Sequence, residues 1–154
     1  MDERTSGIVR GVVSGAAATA VFTWTSARLK KHTATHGAVQ PIQVSSALTG
    51  GAPQADPGRR PLTNAVLHWG YGGWGGVLRV LLMRRGLTGW RADLTQLAVF
   101  WLPWRLLARA HPSAERPSRR EENVALYTDL GKHVVYVLTD RLVHALLARR
   151  AGRR

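Results

Sequence analysis

The 154-residue sequence contains no cysteine, which excludes disulfide frameworks, thiolate metal sites, thiol nucleophiles and iron–sulfur clusters. It is poor in acids: nine Asp and Glu stand against 22 Lys and Arg, for a formal charge of +13. Lysine is scarce as well, since only Lys30, Lys31 and Lys132 are among those cations. No segment alternates apolar and polar residues with a period of two, so strands are disfavoured. The chain also lacks H-E-x-x-H, P-loop, EF-hand and G-x-S-x-G patterns, and hydrolytic chemistry is poorly supported. What is present is 45% apolar composition, enough for the core of one domain. The excess positive charge seeks a polyanion, either nucleic acid or anionic lipid headgroups.

Gly11 to Ala27 is a 17-residue stretch free of Asp, Glu, Lys and Arg, and Pro61 to Leu78 is another of 18. Both approach the ~20 residues that cross ~30 Å of hydrocarbon at 1.5 Å per residue. Leu94 to Trp104 spans only 11, and Val134 to Leu147 is broken by Asp140, Arg141 and His144. Arg10, Arg28, Arg79 and Arg105 flank the runs, where their heads can reach back to the interface. A cleaved signal peptide fits poorly, because Met1 to Ser6 holds two acids and one Arg instead of net positive charge.

These patterns predict an all-α, membrane-associated bundle in a single domain over 1–154, with helices at about 6–31, 62–85, 92–110 and 121–150. The segment 32–60, with Pro41, Pro53, Pro57, Gly50 and Gly51, reads as irregular, with a short helical turn near Val44 to Leu48. Gly86 to Gly89 marks a turn, and Pro112 and Pro117 mark the break before the fourth helix. Ser118 is that helix's candidate N-cap, with Glu121 and Glu122 favoured by its dipole. Pro103 should kink the third helix. His68-x-x-Tyr71 recurs as His133-x-x-Tyr136, and Ala20-Val21-Phe22 as Ala98-Val99-Phe100, which suggests two stacked helical hairpins.

Gly7, Gly11 and Gly15 recur at spacing four, a row that lets backbones approach closely in lipid. In a soluble helix each would cost about 0.5–1 kcal/mol relative to Ala. Gly70, Gly72 and Gly75 match G-x-G-x-x-G, with Asp93 about 20 residues on, but no strand precedes them and Val77 to Arg85 is too short a crossover. A packing face of Gly72 and Gly76 is preferred, and such faces also offer a route to homo-oligomers. In the fourth helix, Tyr127, Leu130, Val134, Val137, Leu138, Leu142, Ala145 and Leu146 form an apolar stripe opposite Asp129, His133, Tyr136, Asp140 and His144. At i,i+4 spacing Asp129 can orient His133, and Asp140 can orient His144. Carboxylate and imidazole together suit a proton-responsive or divalent-metal site. The plainer alternative is a wet helix face on which Lys132 neutralises Asp129.

Glu122-Asn123-Val124 followed by Gly131-Lys132-His133-Val134-Val135-Tyr136 and a Leu-rich tail ending in Arg149-Arg150 resembles the C-terminal helix of YagU-like bacterial inner-membrane proteins. Gly11-Val12-Val13-Ser14-Gly15-Ala16 resembles their first span and that of related small actinobacterial membrane proteins. The similarity covers about half the chain. It implies a small multi-span membrane protein of uncharacterised activity, loosely associated with acid tolerance, in which His68 and His133 are the residues that match. The short third span and the charged fourth depart from the pattern.

If all four helices cross, one side holds eight cations, on Arg4, the 84–91 turn and the C-terminal tail, and the other holds ten. So even a split gives no orientation under the positive-inside rule. It points instead to the third and fourth helices, with Trp90, Trp101 and Trp104, lying in the interface. The sequence reading is a small multi-span or partly interfacial protein of a bacterial cytoplasmic membrane, partnered by anionic lipid, with no cofactor, metal or enzymatic site. Its polar intramembrane candidates are His68, Tyr71, Asp129, His133, Tyr136, Asp140 and His144, in a packing or proton-linked role. Its helix-packing residues are Gly7, Gly11, Gly15, Gly72 and Gly76. The alternatives are a soluble nucleic-acid-binding protein using Arg59, Arg60 and Arg149 to Arg154 on phosphates, and a metal-dependent enzyme using Asp129, His133, Asp140 and His144.

Overall fold

The computed structural model describes residues 2–30, 60–110 and 118–152. They form four helices, α1 (Glu3–Lys30), α2 (Arg60–Arg84), α3 (Gly89–Ala110) and α4 (Arg119–Ala151), with no strand among the described residues. The all-helical class and the four elements are those the sequence predicts. The irregular segment expected over 32–60, its turn at Val44 to Leu48, and the break at Pro112 and Pro117 lie outside the described residues, apart from Arg60.

The helix ends follow from local chemistry. Asp2 accepts the Thr5 N–H at 2.7 Å, which caps α1 and holds the Asp2 carboxyl below the usual carboxylate range. Gly86 (φ 81°) and Gly89 (φ 57°) supply the left-handed backbone of the α2–α3 turn. Ser118 caps α4 in a capping box: its Oγ accepts from Glu121 N at 3.3 Å, and Glu121 Oε2 accepts from Ser118 N at 2.8 Å. α3 continues through Pro103, whose missing N–H removes the helical donor for the Val99 carbonyl.

Gly11 packs against Gly76 and Gly15 against Gly72, so that a Cβ on Gly11 would lie 2.7 Å from the Gly76 carbonyl oxygen. Only glycines allow this backbone approach, and the register makes α1 and α2 antiparallel. α1 also packs along α4, somewhat less extensively, and α3 lies against α2 and α4. The α1–α4 alignment runs from Phe22 and His133, with ring centroids 5.2 Å apart, to Gly7 and His144 around one cavity. The bundle therefore runs up, down, up, down, and places the α1 N-terminus, the α2–α3 turn and the α4 C-terminus at one end. α4 lies alongside α1 for several turns.

Apolar and polar side chains share the interior among the described residues. The apolar core is small: Ala18, Phe100, Tyr136 and Val137, with Phe22, Leu78 and Leu97 packed on it. The largest fully buried side chains are all polar: Gln96, Thr19, Asp140 and Ser14. On α4, Tyr127, Val134, Leu138, Leu142 and Leu146 are exposed, whereas Tyr136, Asp140 and His144 are buried. The stripe that could be read as a wet face is thus the inner face at these three positions, and of the apolar stripe Val137 is buried. Glu3–Leu29 is the one helix among the described residues that is long and apolar enough to cross a membrane. Signal sequences and soluble core helices pass the same test, but a core helix is mostly buried, and only 33% of this apolar window is.

Candidate functional site

Gly72, Gly75 or Gly76, and Arg79 fall on one face of α2 at helical spacing, as do Asp93, Gln96 and Phe100 on α3 and Tyr136, Asp140 and His144 on α4. These three faces meet inside the bundle. Arg79 is at the centre: Nε donates to Asp140 Oδ2 at 2.8 Å, and Nη2 donates to Gln96 Oε1 at 2.5 Å and to the Val137 carbonyl at 3.1 Å. Nη1 pairs with Asp93 Oδ1 at 2.9 Å, and Arg141 Nη1 holds the other Asp93 oxygen at 2.8 Å. Gln96 Nε2 donates to Asp140 Oδ2 at 2.7 Å and to the Gly75 carbonyl at 2.9 Å.

Two guanidiniums and two carboxylates balance in this cluster, so it satisfies the requirement that buried charges be paired and hydrogen-bonded. Three buried atoms here make no hydrogen bond: Asp93 Oδ1, which has only its ion pair with Arg79, Asp140 Oδ1 and, one turn further on α4, His144 Nδ1. Each such atom costs about 1–3 kcal/mol unless something compensates it. The expected pairing is therefore corrected: Asp140 is committed to Arg79 and Gln96, and no hydrogen bond joins it to His144.

A second polar group occupies the other end of the bundle. Thr23 donates to the Thr19 carbonyl at 2.8 Å, so it accepts from His68 Nε2, also at 2.8 Å. His133 Nδ1 donates to the backbone carbonyl of Asp129 at 2.8 Å and lies 3.7 Å from its carboxylate, so the main chain orients the imidazole instead of the expected side chain. The Asp129 carboxylate takes the Trp101 indole N–H at 3.1 Å and Lys132 Nζ at 3.5 Å, the neutralisation that the plainer sequence reading proposes. Phe22 sits between the two imidazoles, with ring centroids 6.1 Å from His68 and 5.2 Å from His133.

Between the two polar groups lies an aromatic layer. Tyr136 stacks on Phe100 at 5.7 Å and 13°, and its hydroxyl donates to the Gly72 carbonyl at 2.5 Å. Tyr71 also packs on Phe100, at 4.4 Å with its ring tilted by 40°, and donates to the Phe100 carbonyl at 3.2 Å. Gly75 is required here, since a Cβ would run into the Tyr136 hydroxyl and the Phe100 ring.

The seven polar candidates thus separate. Asp140 and His144 are at one end, Tyr71 and Tyr136 are in the middle, and His68, Asp129 and His133 are at the other end. The metal set expected of Asp129, His133, Asp140 and His144 is divided between the two ends, and no cluster of three metal-ligating side chains occurs among the described residues. Gly11, Gly15, Gly72 and Gly76 are in backbone contact within the chain, while a Cβ on Gly7 would make only ordinary contacts, the nearest being Arg84 Nη2 at 3.4 Å.

Arg79, Gln96 and Asp93 are the site residues that sequence reasoning missed. Arg79 reads as the cationic flank of an apolar run, yet Val80 to Met83 continue the run for another turn before Arg84 and Arg85, which are the true flank. Compared with known proteins, the chain matches no family model, no curated protein and no solved structure.

Proposed function

We propose that the chain is a small multi-span protein of a bacterial cytoplasmic membrane, its four helices crossing the bilayer and its Arg79 cluster, with His144, serving a proton- or stress-linked role. The observation that carries this reading is the distribution of polarity: an Arg–Asp–Gln network inside, and large apolar side chains exposed on every helix. In water that arrangement forfeits apolar burial and adds the desolvation of two charges. In hydrocarbon it is the favourable partition, and buried ionisable groups there mark functional sites by default.

Two of the four exposed tryptophans among the described residues add to the argument. The helix register sets Trp90 level with the first turn of α1, so Trp24 and Trp90 are separated by about 20 residues of helical rise, roughly 30 Å, the thickness of the hydrocarbon core. Each carries an arginine over its ring, Arg28 at 5.3 Å and Arg91 at 5.6 Å, the pairing expected of interfacial anchors. His144 has Arg10 of α1, Arg79 of α2 and Asp140 of α4 as its charged neighbours, so a proton gained or lost there acts on the whole cluster.

The test is membrane fractionation of the tagged chain combined with cysteine accessibility, for which the cysteine-free sequence provides a clean background. The protein should stay in the membrane pellet through carbonate and high-salt washes. Gly86→Cys and Arg4→Cys should label from one side with an impermeant maleimide, Arg120→Cys from the other, and Val66→Cys and Leu138→Cys from neither. Extraction by carbonate, together with salt-dependent DNA binding by the soluble fraction, would establish the nucleic-acid reading instead. Loss of pH dependence in a functional readout with Asp140→Asn, but not with Asp129→Asn, would assign the proton-linked role to the Arg79 cluster.

A further inference from the structure

At the end of the bundle where α1 begins and α2 ends, Arg4, Arg10, Arg84, Gly7 and His144 surround an open cavity of about 310 Å3. The geometry points to a binding site for a phosphate group, presented either by an anionic lipid headgroup or by a free phosphate ion. Three guanidiniums line it against one carboxylate, Glu3; Asp2, also within electrostatic reach of Arg84, caps α1 through Thr5, and the other nearby acids are committed, Asp140 to Arg79 and Asp93 to Arg79 and Arg141. Arg84 Nη2 is fixed by donating to the Arg4 carbonyl at 2.9 Å, which leaves the rest of its planar fork for an oxyanion.

The floor of the cavity depends on a missing side chain. A Cβ on Gly7 would lie 3.4 Å from Arg84 Nη2, 3.7 Å from Val80 Cγ1 and 4.0 Å from Arg10 Nη2, so two guanidiniums converge on a space that a single methyl fits and a branched side chain would fill. Two buried nitrogens at this place have no protein partner, Arg10 Nε and His144 Nδ1, and the His144 side chain is only 8% exposed. A buried guanidinium N–H such as Arg10 Nε is satisfied by an anion, which also accepts from His144 Nδ1 in the tautomer that carries the proton there, and guanidinium geometry selects phosphate oxygens by charge-assisted hydrogen bonds. Gly7 thereby has a role that the packing of α1 on α2 leaves unexplained.

The site does not depend on the chain crossing a membrane, since inorganic phosphate can be titrated with or without a bilayer. The full-length protein in phosphatidylcholine nanodiscs is titrated calorimetrically with inorganic phosphate in one arm and with short-chain phosphatidic acid in the other. Saturable binding is expected in at least one arm, weakened at least about tenfold in the double variant Arg10→Gln/Arg84→Gln, the scale set by losing two charge-assisted contacts. Gly7→Val should weaken it comparably without changing the charge, and it carries the test if the double variant fails to fold. Arg119→Gln/Arg120→Gln, at the opposite end, should leave binding unchanged. Binding of phosphate assigns a soluble ligand, and binding of phosphatidic acid alone assigns a lipid headgroup. No saturable binding in either arm, or equal loss in the two double variants, overturns the site. A chain recovered in the carbonate-soluble fraction overturns the membrane reading alone, and the phosphate arm is then run on the soluble protein.

Discussion

Arg79 and Asp140, 61 residues apart in sequence, are joined by a 2.8 Å hydrogen-bonded ion pair whose side chains are 4% and 0% exposed. Removing either partner leaves an uncompensated buried charge, so Arg79→Leu and Asp140→Leu should each destabilise the fold by about 3–5 kcal/mol. The double variant should cost much less than the sum of the two, because no charge is stranded. Arg79→Lys should not rescue, since one ammonium cannot reach Asp140, Gln96, Asp93 and the Val137 carbonyl together. Thermal unfolding of the four variants in one detergent measures all of this, and strict additivity would refute the coupling.

The glycines divide into two groups with opposite expectations. A Cβ on Gly76 meets the α1 backbone, so Gly76→Ala should force the helices apart and cost about 1–3 kcal/mol. Gly131 has open space around it, and Gly131→Ala should be neutral or stabilising by up to about 1 kcal/mol through helix propensity. Comparing the two melting temperatures checks the assignment.

Tyr136→Phe keeps the ring stack on Phe100 and removes only the hydroxyl that donates to the Gly72 carbonyl. A loss of about 1 kcal/mol is expected. Gly75→Ala, which displaces the same ring, should cost more than Tyr136→Phe in the same melting assay.

Ser118→Ala should remove the capping box of α4 and cost that helix about 1 kcal/mol of local stability. Faster amide hydrogen exchange at Glu121 and Glu122, with exchange around Val137 unchanged, is the expected pattern.

The helices and the glycine seam were legible because both are one-dimensional signals: charge-free runs show length, and a glycine row at spacing four marks a face. The charged cluster was not, for a reason visible in α4. Its polar stripe is evident in sequence, but a stripe does not say which way it faces. Water turns it outward and lipid turns it inward, and only the packing of Tyr136 onto Gly72 and Gly75 settles the direction. Arg79 and Gln96 were hidden differently, as single polar residues in apolar surroundings with partners on other helices. A heptad-like reading of Gly72, Gly75 or Gly76, and Arg79 as one face of α2 was the available clue.

The stacked rings of Tyr136 and Phe100, with Ala18 and Val137 beside them, have a consequence for how the two polar groups influence one another. They place an apolar layer between the Arg79 cluster at one end of the bundle and the His68–Thr23 and Asp129–His133 groups at the other. Among the described residues the two groups share no hydrogen bond across it, so a substitution in one should leave the local geometry of the other intact, and each end of the bundle behaves as a separate electrostatic compartment.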